Sequence, residues 1–348
     1  MAHRVAQWAT GNIGTKALRG IVEHPLLELA GVHVYDDAKV GRDAGDLCGL
    51  PPTGVRATND RLAIIEAAPD CVLYMPRAID VDDLVAILSA GINVVSTRDE
   101  LFRGGEGLAP DDRARVLQAC IDGQSSAYST GSSPGFITEV FPYALLSLQR
   151  RVDAISIWEY ADLSQRNSPG LLFDIMGYGK QPNIDSRRAE HLLHSFGPSL
   201  RTLAEAAGLT VDEWTSYGEV ALAPRDVSIV AGTIDKGTVA AQRTRIVGKQ
   251  GGAEVISQTL TWYCTTEIAE DWDLGATGWR FVLRGDAPFD VALPFPVTLD
   301  EMGATTPGYT ANRPVNVVPW ICAAPPGFVS DLDLPPITPV GPRGGVHA

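Results

Sequence analysis

The chain lacks any apolar run approaching 18 residues, so it offers no stretch able to cross a bilayer as a helix. It is also short of positive charge. Lys and Arg number 28 against 42 Asp and Glu, for a formal net charge of −14. That balance repels the phosphates of nucleic acid and anionic lipid, so neither nucleic acid nor membrane is an expected partner. Cysteine is scarce and odd in number. The five residues (Cys48, Cys71, Cys120, Cys264 and Cys322) are scattered, with no C-x-x-C spacing. This excludes a zinc ribbon and argues for small buried thiols in a reducing compartment. Histidine is nearly as rare, at six residues. His191 and His194 stand three apart on a helical pattern, but no third ligand has fitting spacing, so no metal is expected. With histidines so few, a His-based general base, and with it Ser-His-Asp hydrolysis, is not expected.

What remains is globular. Of 348 residues, 45% are hydrophobic and 20% charged, enough for a sizeable core in roughly two domains. Met1-Ala-His-Arg-Val runs straight into an apolar strand pattern with no leader-like segment, so a cytoplasmic location is expected.

The most informative stretch follows. Arg4-Val-Ala-Gln-Trp-Ala9-Thr-Gly11-Asn-Ile-Gly14 reads as a short strand entering a near-complete G-x-G-x-x-G turn, with Ala9 at the first glycine position. A helix pattern begins at once with Thr15-Lys-Ala-Leu-Arg. Without a side chain, Gly11 lets backbone approach a diphosphate, and Gly14 lets the helix sit tightly on the strand. The helix N-terminus then presents free N–H groups and a positive dipole end. Strand before and helix after are the context that this motif needs. Thr10, Gly11, Asn12, Ile13 and Gly14 are therefore the candidate phosphate contacts. Ala9 is tolerable if that position takes a negative φ.

Beyond it, strand patterns at Val5–Trp8, Leu29–Tyr35, Val55–Thr58, Cys71–Met75, Asn93–Ser96 and Ser126–Ser129 alternate with helical ones. The alternation predicts an α/β fold, an N-terminal Rossmann domain with a doubly wound parallel sheet, over 1–134. The pattern changes after Ser132-Ser133-Pro134-Gly135. A long helix is expected over Phe136–Arg151, then a strand at Ala154–Tyr160, a helix at Asp185–Ala207, and strands at Val227–Asp235, Thr238–Val247, Glu254–Tyr263 and Trp279–Arg284. These predict a second α+β domain over 135–307, built on an open mixed or antiparallel sheet. Residues 285–307 read as loop. Thr310–Ala324 reads as helix, and the Pro- and Gly-rich tail from Pro335 as an extended arm. Together 308–348 would pack back on the first domain.

In a parallel sheet the ligand lies at the carboxyl ends of the strands. Asp36, after the second strand, suits the ribose 2′-hydroxyl of NAD, whereas Lys39 and Arg42 suit the 2′-phosphate of NADP. Use of NAD(H) or NADP(H) is thus left open. Pro76 and Thr97 end the fourth and fifth strands. Asp99 and Glu100 follow Thr97, where a carboxylate can hold an amine or relay a proton. Equally, Asp99 or Ser96 could cap a turn or short helix, with Glu100 facing solvent.

Several pieces carry a family resemblance: Gln7 to Gly14, Tyr35 to Gly45, Asn93 to Thr97, Ser133-Pro-Gly-Phe136, Thr310-Ala311 with Val315-Asn316, and Ala323 to Gly327 before Asp333-Leu334-Pro335. Over nearly its whole length the chain resembles dihydrodipicolinate-reductase-like proteins and the 2,4-diaminopentanoate dehydrogenase and native amine dehydrogenase family. The resemblance implies a homodimer and NAD(P)H-dependent reductive amination of a ketone or aldehyde with ammonia, or its reverse. It points to Glu100 as the acid that meets ammonia or the amine, and to Asn316 at the cofactor. For the substrate it points to a pocket walled by Phe136, Trp158 and Met176, with Arg166 or Thr310 at a polar end. Two departures stand out. Arg98 sits beside the acid and would keep it ionised. The His-His-x-x-Lys element of true dihydrodipicolinate reductases is missing. The competing readings are an NAD(P)-dependent dehydrogenase of an alcohol, aldehyde or carboxylated substrate working without ammonia, and a nucleotide-binding sensor without turnover.

Overall fold

The computed structural model describes residues 2–182 and 186–341, with only the backbone described at Ser186 and Arg187. The chain divides into two compact units: residues up to Phe136 with those from Thr306 onward, and Ile137–Thr305.

The first stretch alternates as its patterning requires. Its elements are β1 (His3–Trp8), α1 (Asn12–Glu23), β2 (Leu27–His33), α2 (Ala44–Cys48), β3 (Ala57–Thr58), α3 (Arg61–Glu66), β4 (Cys71–Tyr74), α4 (Val81–Ser89), β5 (Asn93–Ser96), the irregular turn α5 (Phe102–Gly105), α6 (Pro110–Gly123) and β6 (Ser126–Ser129). Every residue of β4 and β6 is buried, as expected for strands covered on both faces. The helices start where capping residues stand. The Asp80 carboxylate accepts the Asp82 and Asp83 N–H groups, and Pro110 opens α6. Leu84, Ile87 and Leu88 then turn one face of α4 into the core.

The second unit contains α7 (Phe141–Leu146), β7 (Val152–Asp162), α8 (Ser186–Ala206), β8 (Glu213–Leu222), β9 (Val227–Ile229), β10 (Gly232–Ile234), β11 (Val239–Gln250), β12 (Ala253–Tyr263), β13 (Gly278–Gly285) and β14 (Phe289–Pro294). Its main sheet has the order β14-β13-β7-β12-β11-β8. The β7–β12 pair is parallel and the other pairs are antiparallel, so the sheet is mixed.

Four expectations need correction here. The long helix expected over Phe136–Arg151 is shorter than its pattern: after non-helical backbone at Ser133, Pro134 and Gly135, a wide π-type turn runs to Val140 and α-helix continues over Phe141–Leu146, where it ends. The strand expected over Val227–Asp235 is a tight hairpin, β9 against β10, that turns at Val230-Ala231. The ten-residue β8 has only one fully buried residue, so its apolar alternation is too weak to read. Residues 285–307 are not loop throughout: they hold β14 and the first turns of the next helix. The predicted start of α8 at Asp185 lies outside the described residues.

The chain then returns to the first unit with α9 (Leu299–Ile321) and β15 (Gly327–Phe328). Helix α9 runs through Pro307, Pro314 and Pro319. Its buried Ala311, Val315, Val317, Val318 and Ile321 pack with α1 residues Ala17 and Ile21, and that packing outweighs the lost backbone bonds. Strand β15 completes a seven-stranded parallel sheet of order β15-β6-β5-β4-β1-β2-β3. The fold is therefore the expected Rossmann-type sheet with a second α+β unit. Residues 335–341 of the tail have no regular structure, Ile337 packs beside the α9 cluster, and the end of the arm lies outside the described residues.

A buried charge pair pins this return. Arg313 of α9 is ion-paired with Asp331, and its Nε donates to Thr130 Oγ1 (2.8 Å) at the end of β6. Tyr128 OH donates to the same Asp331 oxygen (2.7 Å). Burial pushes the Asp331 carboxyl up against the pull of Arg313.

Two predictions follow from these contacts. Arg313→Met leaves Asp331 buried without its cation, and should cost about 3–5 kcal/mol in urea unfolding. A loss under about 1 kcal/mol would show that the pair is not structural. In the second unit, Asp286 accepts the Arg150 and Arg151 N–H groups (3.0 and 3.1 Å), which hold its pKa down to about 2. Its stabilising effect is present above the unfolded carboxylate range, about pH 4, and is lost as pH falls toward 2. Asp286→Asn should thus lower the melting temperature at pH 7, with the gap to wild type closing between about pH 4 and pH 2.

Candidate functional site

Strand order reverses at β1, which has β2 on one side and β4 on the other, so the crevice for a ligand opens at its carboxyl end. There the chain passes through Ala9 and Thr10 into Gly11, the N-cap of α1. Gly11 has no side-chain cap, and a Cβ built on it would meet no atom within 4 Å. Asn12 is exposed and Ile13 half-buried. Gly14 is the opposite case: its Cβ would lie 2.1 Å from the Ala9 carbonyl oxygen. Beneath the turn, the buried Gln7 amide donates to the same oxygen (2.9 Å). The condition placed on Ala9 fails, because it takes a φ of 72° and its carbonyl faces Gln7 and Gly14. Uncapped N–H groups at the end of a twelve-residue helix, next to open space, are a donor set that fits a diphosphate.

The residues after β2 divide their roles. Asp36 is exposed and caps a short turn by accepting from Ala38 N–H (3.0 Å). Lys39 reaches back to the glycine turn, where its Nζ donates to the Thr10 carbonyl (2.9 Å) and hydroxyl (3.2 Å). Arg42 is exposed, and its side chain makes no hydrogen bond or ion pair among the described residues. The Lys39–Thr10 bond was not readable from the sequence, since 29 positions separate its partners.

Pro76 is buried just after β4 and Thr97 half-buried just after β5. Arg98 follows. Its Nε and Nη2 clasp both oxygens of Glu100 (3.0 and 2.6 Å), and Nη2 also reaches Asp99 (3.3 Å). Burial would pull the Arg98 pKa down, but the bonds to Glu100 and the two negative charges carry it up. The loop is braced from behind. Ser96 Oγ accepts from Arg98 N–H (3.1 Å), and Ser129 Oγ donates to the Arg98 carbonyl (2.7 Å). Glu100 thus stands half-buried after β5, clasped by its neighbour Arg98. Thr310 Oγ1 is bonded to Ser132 Oγ (2.7 Å), beside the turn that leads to Phe136. Asn316 is half-buried on α9.

The second unit separates residues expected together. Trp158 and Glu159 point to opposite faces of β7. Trp158 lies with Tyr160, Arg243 and Arg280, and Arg280 caps its ring at 5.6 Å. Met176 and Arg166 line a cavity on the other face, with Glu159 and Trp262. Trp158 and Met176 therefore do not share one pocket. A strand alternates its side chains, and one residue of register decides the face. His191 and His194 are exposed on α8, and no cluster of metal-ligating residues occurs among the described residues.

With this geometry in view, comparison with known proteins places the chain. No family model matches it. An amine dehydrogenase of Streptomyces virginiae is 28% identical over 352 residues, covering 97% of each chain. A 4-hydroxy-tetrahydrodipicolinate reductase of Anaeromyxobacter dehalogenans is also 28% identical, but over 34% of this chain and 42% of its own length. Among solved structures, an amine dehydrogenase from Mycobacterium smegmatis superposes with a TM-score of 0.76, at 18% identity and 97% coverage of each chain. A probable dehydrogenase from Thermotoga maritima gives 0.52 at 12% identity, covering 95% and 92%. The class is thus the two-unit dehydrogenase fold, with a Rossmann sheet followed by an α+β unit. Within it, the chain resembles amine dehydrogenases along its full length and dihydrodipicolinate reductases along about a third.

The two glycines should separate fold from ligand. Gly11→Ala adds a methyl to open space at a φ of −72°, so it should cost less than about 1 kcal/mol yet weaken NADH and NADPH binding about tenfold or more in a fluorescence titration. Gly14→Ala should destabilise the whole first unit. Unchanged nucleotide affinity in Gly11→Ala would show that no diphosphate lies on this turn.

Proposed function

We propose that this protein is an NAD(P)-dependent oxidoreductase of C–N bonds, an amine dehydrogenase that aminates a ketone or aldehyde reductively with ammonia or runs the reverse. The observation that carries the reading is a pairing within one parallel sheet: a diphosphate-fitting turn after β1, and a held carboxylate after β5, two strands away. Full-length likeness to an amine dehydrogenase supports it.

In this reading Thr10, Gly11, Asn12, Ile13 and Gly14 hold the diphosphate, and Asp36, Lys39 and Arg42 face the adenosine ribose, with Pro76, Thr97 and Asn316 completing the nucleotide contacts. A bound nicotinamide supplies or accepts hydride. Glu100, clasped by Arg98, holds ammonia or the amine nitrogen. Condensation of the ketone with ammonium, with loss of one water, gives a protonated imine, and the negative charge of Glu100 favours that cation most in a site with little water. In the first unit Phe136 and Thr310 are the substrate candidates of this reading; in the second, Arg166 and Met176 line one cavity, and Trp158 does not belong to that wall. A homodimer and a cytoplasmic location complete the reading.

The test is a panel of ketones and aldehydes with ammonium, read by NADH and NADPH absorbance. Cofactor oxidation should require ammonium, and turnover without it would favour the alternative dehydrogenase. Glu100→Gln should lower kcat/KM for ammonium about 100-fold or more while leaving nucleotide affinity unchanged. Lys39→Met should weaken NADPH more than NADH, because a cation beside the turn pairs with a 2′-phosphate. Equal losses for both would place Lys39 in the fold of the turn alone.

A further inference from the structure

The second unit holds a cavity of about 420 Å³ on the sheet face that carries Glu159. Its walls are apolar: Leu163, Leu171, Ile175, Met176, Leu192 and Trp262. Three charged side chains, Glu159, Arg166 and Arg188, interrupt them.

Their partners do not cancel one another. Glu159 accepts one indole N–H on each oxygen, from Trp262 (2.9 Å) and Trp279 (3.1 Å). Both donors are neutral, so each carboxylate oxygen has a partner while the charge is paired to no cation among the described residues. Arg188, half-buried on α8, donates to the Met176 carbonyl, also a neutral group. Arg166 is exposed and lines the same cavity. Neither guanidinium forms an ion pair among the described residues, and burial lowers the pKa of Arg188. A cation in partly dry surroundings gains most from an anion brought to it, and the planar guanidinium fork matches a carboxylate.

From this we infer that the cavity takes an aliphatic carboxylate, its anionic head on Arg188 and Arg166 and its hydrocarbon body against Met176, Leu192 and Trp262. The binding step needs neither nucleotide nor turnover.

Isothermal titration of the full-length protein without nucleotide tests it, with hexanoate, hexan-1-ol and hexylamine as probes of equal reach. Hexanoate should bind at least tenfold more tightly than hexan-1-ol, and hexylamine no more tightly than the alcohol. Arg188→Met should abolish the preference, whereas Arg188→Lys, which keeps the charge and a donor for the Met176 carbonyl, should retain most of it. Should Arg188→Met fail to fold, Arg166→Met alters an exposed side chain and should still cut the preference at least threefold. Equal binding of hexanoate and hexan-1-ol, tightest binding of hexylamine, or a preference that survives the arginine variants would overturn the assignment. Nucleotide titration is a separate arm: hexanoate binding without any response to NADH or NADPH would sink the dehydrogenase reading and leave this site standing.

Discussion

A missing methyl group organises the first unit. Because Gly14 has no Cβ, the Ala9 carbonyl can rest against the start of α1, and the buried Gln7 amide closes the contact from below. Strand and helix are thereby joined at one short turn. Their junction sets where α1 packs, and so where α9 packs on it: a Cβ on Gly20 of α1 would meet Val315 of α9 at 3.1 Å. The same turn leaves the first N–H groups of α1 uncapped beside open space. One steric requirement thus yields both the packing of the unit and its phosphate-fitting donors.

Charge is handled differently at three places, and the differences separate structure from chemistry. Arg313 and Asp331 are buried and paired, with Tyr128 on the same oxygen, an arrangement that holds the returning chain. Arg98 and Glu100 are paired but partly exposed at the sheet edge, so the carboxylate is oriented yet reachable. In the second unit, Glu159 and Arg188 face one cavity, each bonded to neutral groups. Paired and buried charge holds a fold, whereas charge left for a partner costs stability and is kept where a ligand supplies the match.

Much of this was legible. The Ala9–Gly14 spacing, the strand patterns up to Ser129 and the acid after the fifth strand rest on local periodicity, and each occurs where its pattern stands. The bidentate Arg98–Glu100 clasp was half legible, since adjacency brought the two charges near but not their geometry. Other features gave no local signal. Lys39 meets Thr10 across 29 positions, and Arg313 meets Thr130 across 183. The hairpin of β9 and β10 looked like one strand because its turn residues, Val230-Ala231, are apolar. Helix α9 looked like loop at its start because its prolines forbid it in isolation, while packing on α1 permits it.

The sequence by itself determined the parallel α/β start, the presence of a second α+β unit and the strand-turn-helix at Ala9–Gly14, because each follows from residues within a few positions of one another. Tertiary structure alone decided which aromatic residues share a wall. Trp158 and Glu159 are neighbours in the chain, yet the pleat of β7 sends them to opposite faces, and only the register with β12 and β13 shows which face holds the cavity. It also decided that Glu159 would be met by two indoles 103 and 120 positions away, leaving the arginines of that cavity uncompensated. Local spacing can propose a strand; the partner of each side chain depends on contacts that close only when distant strands pair.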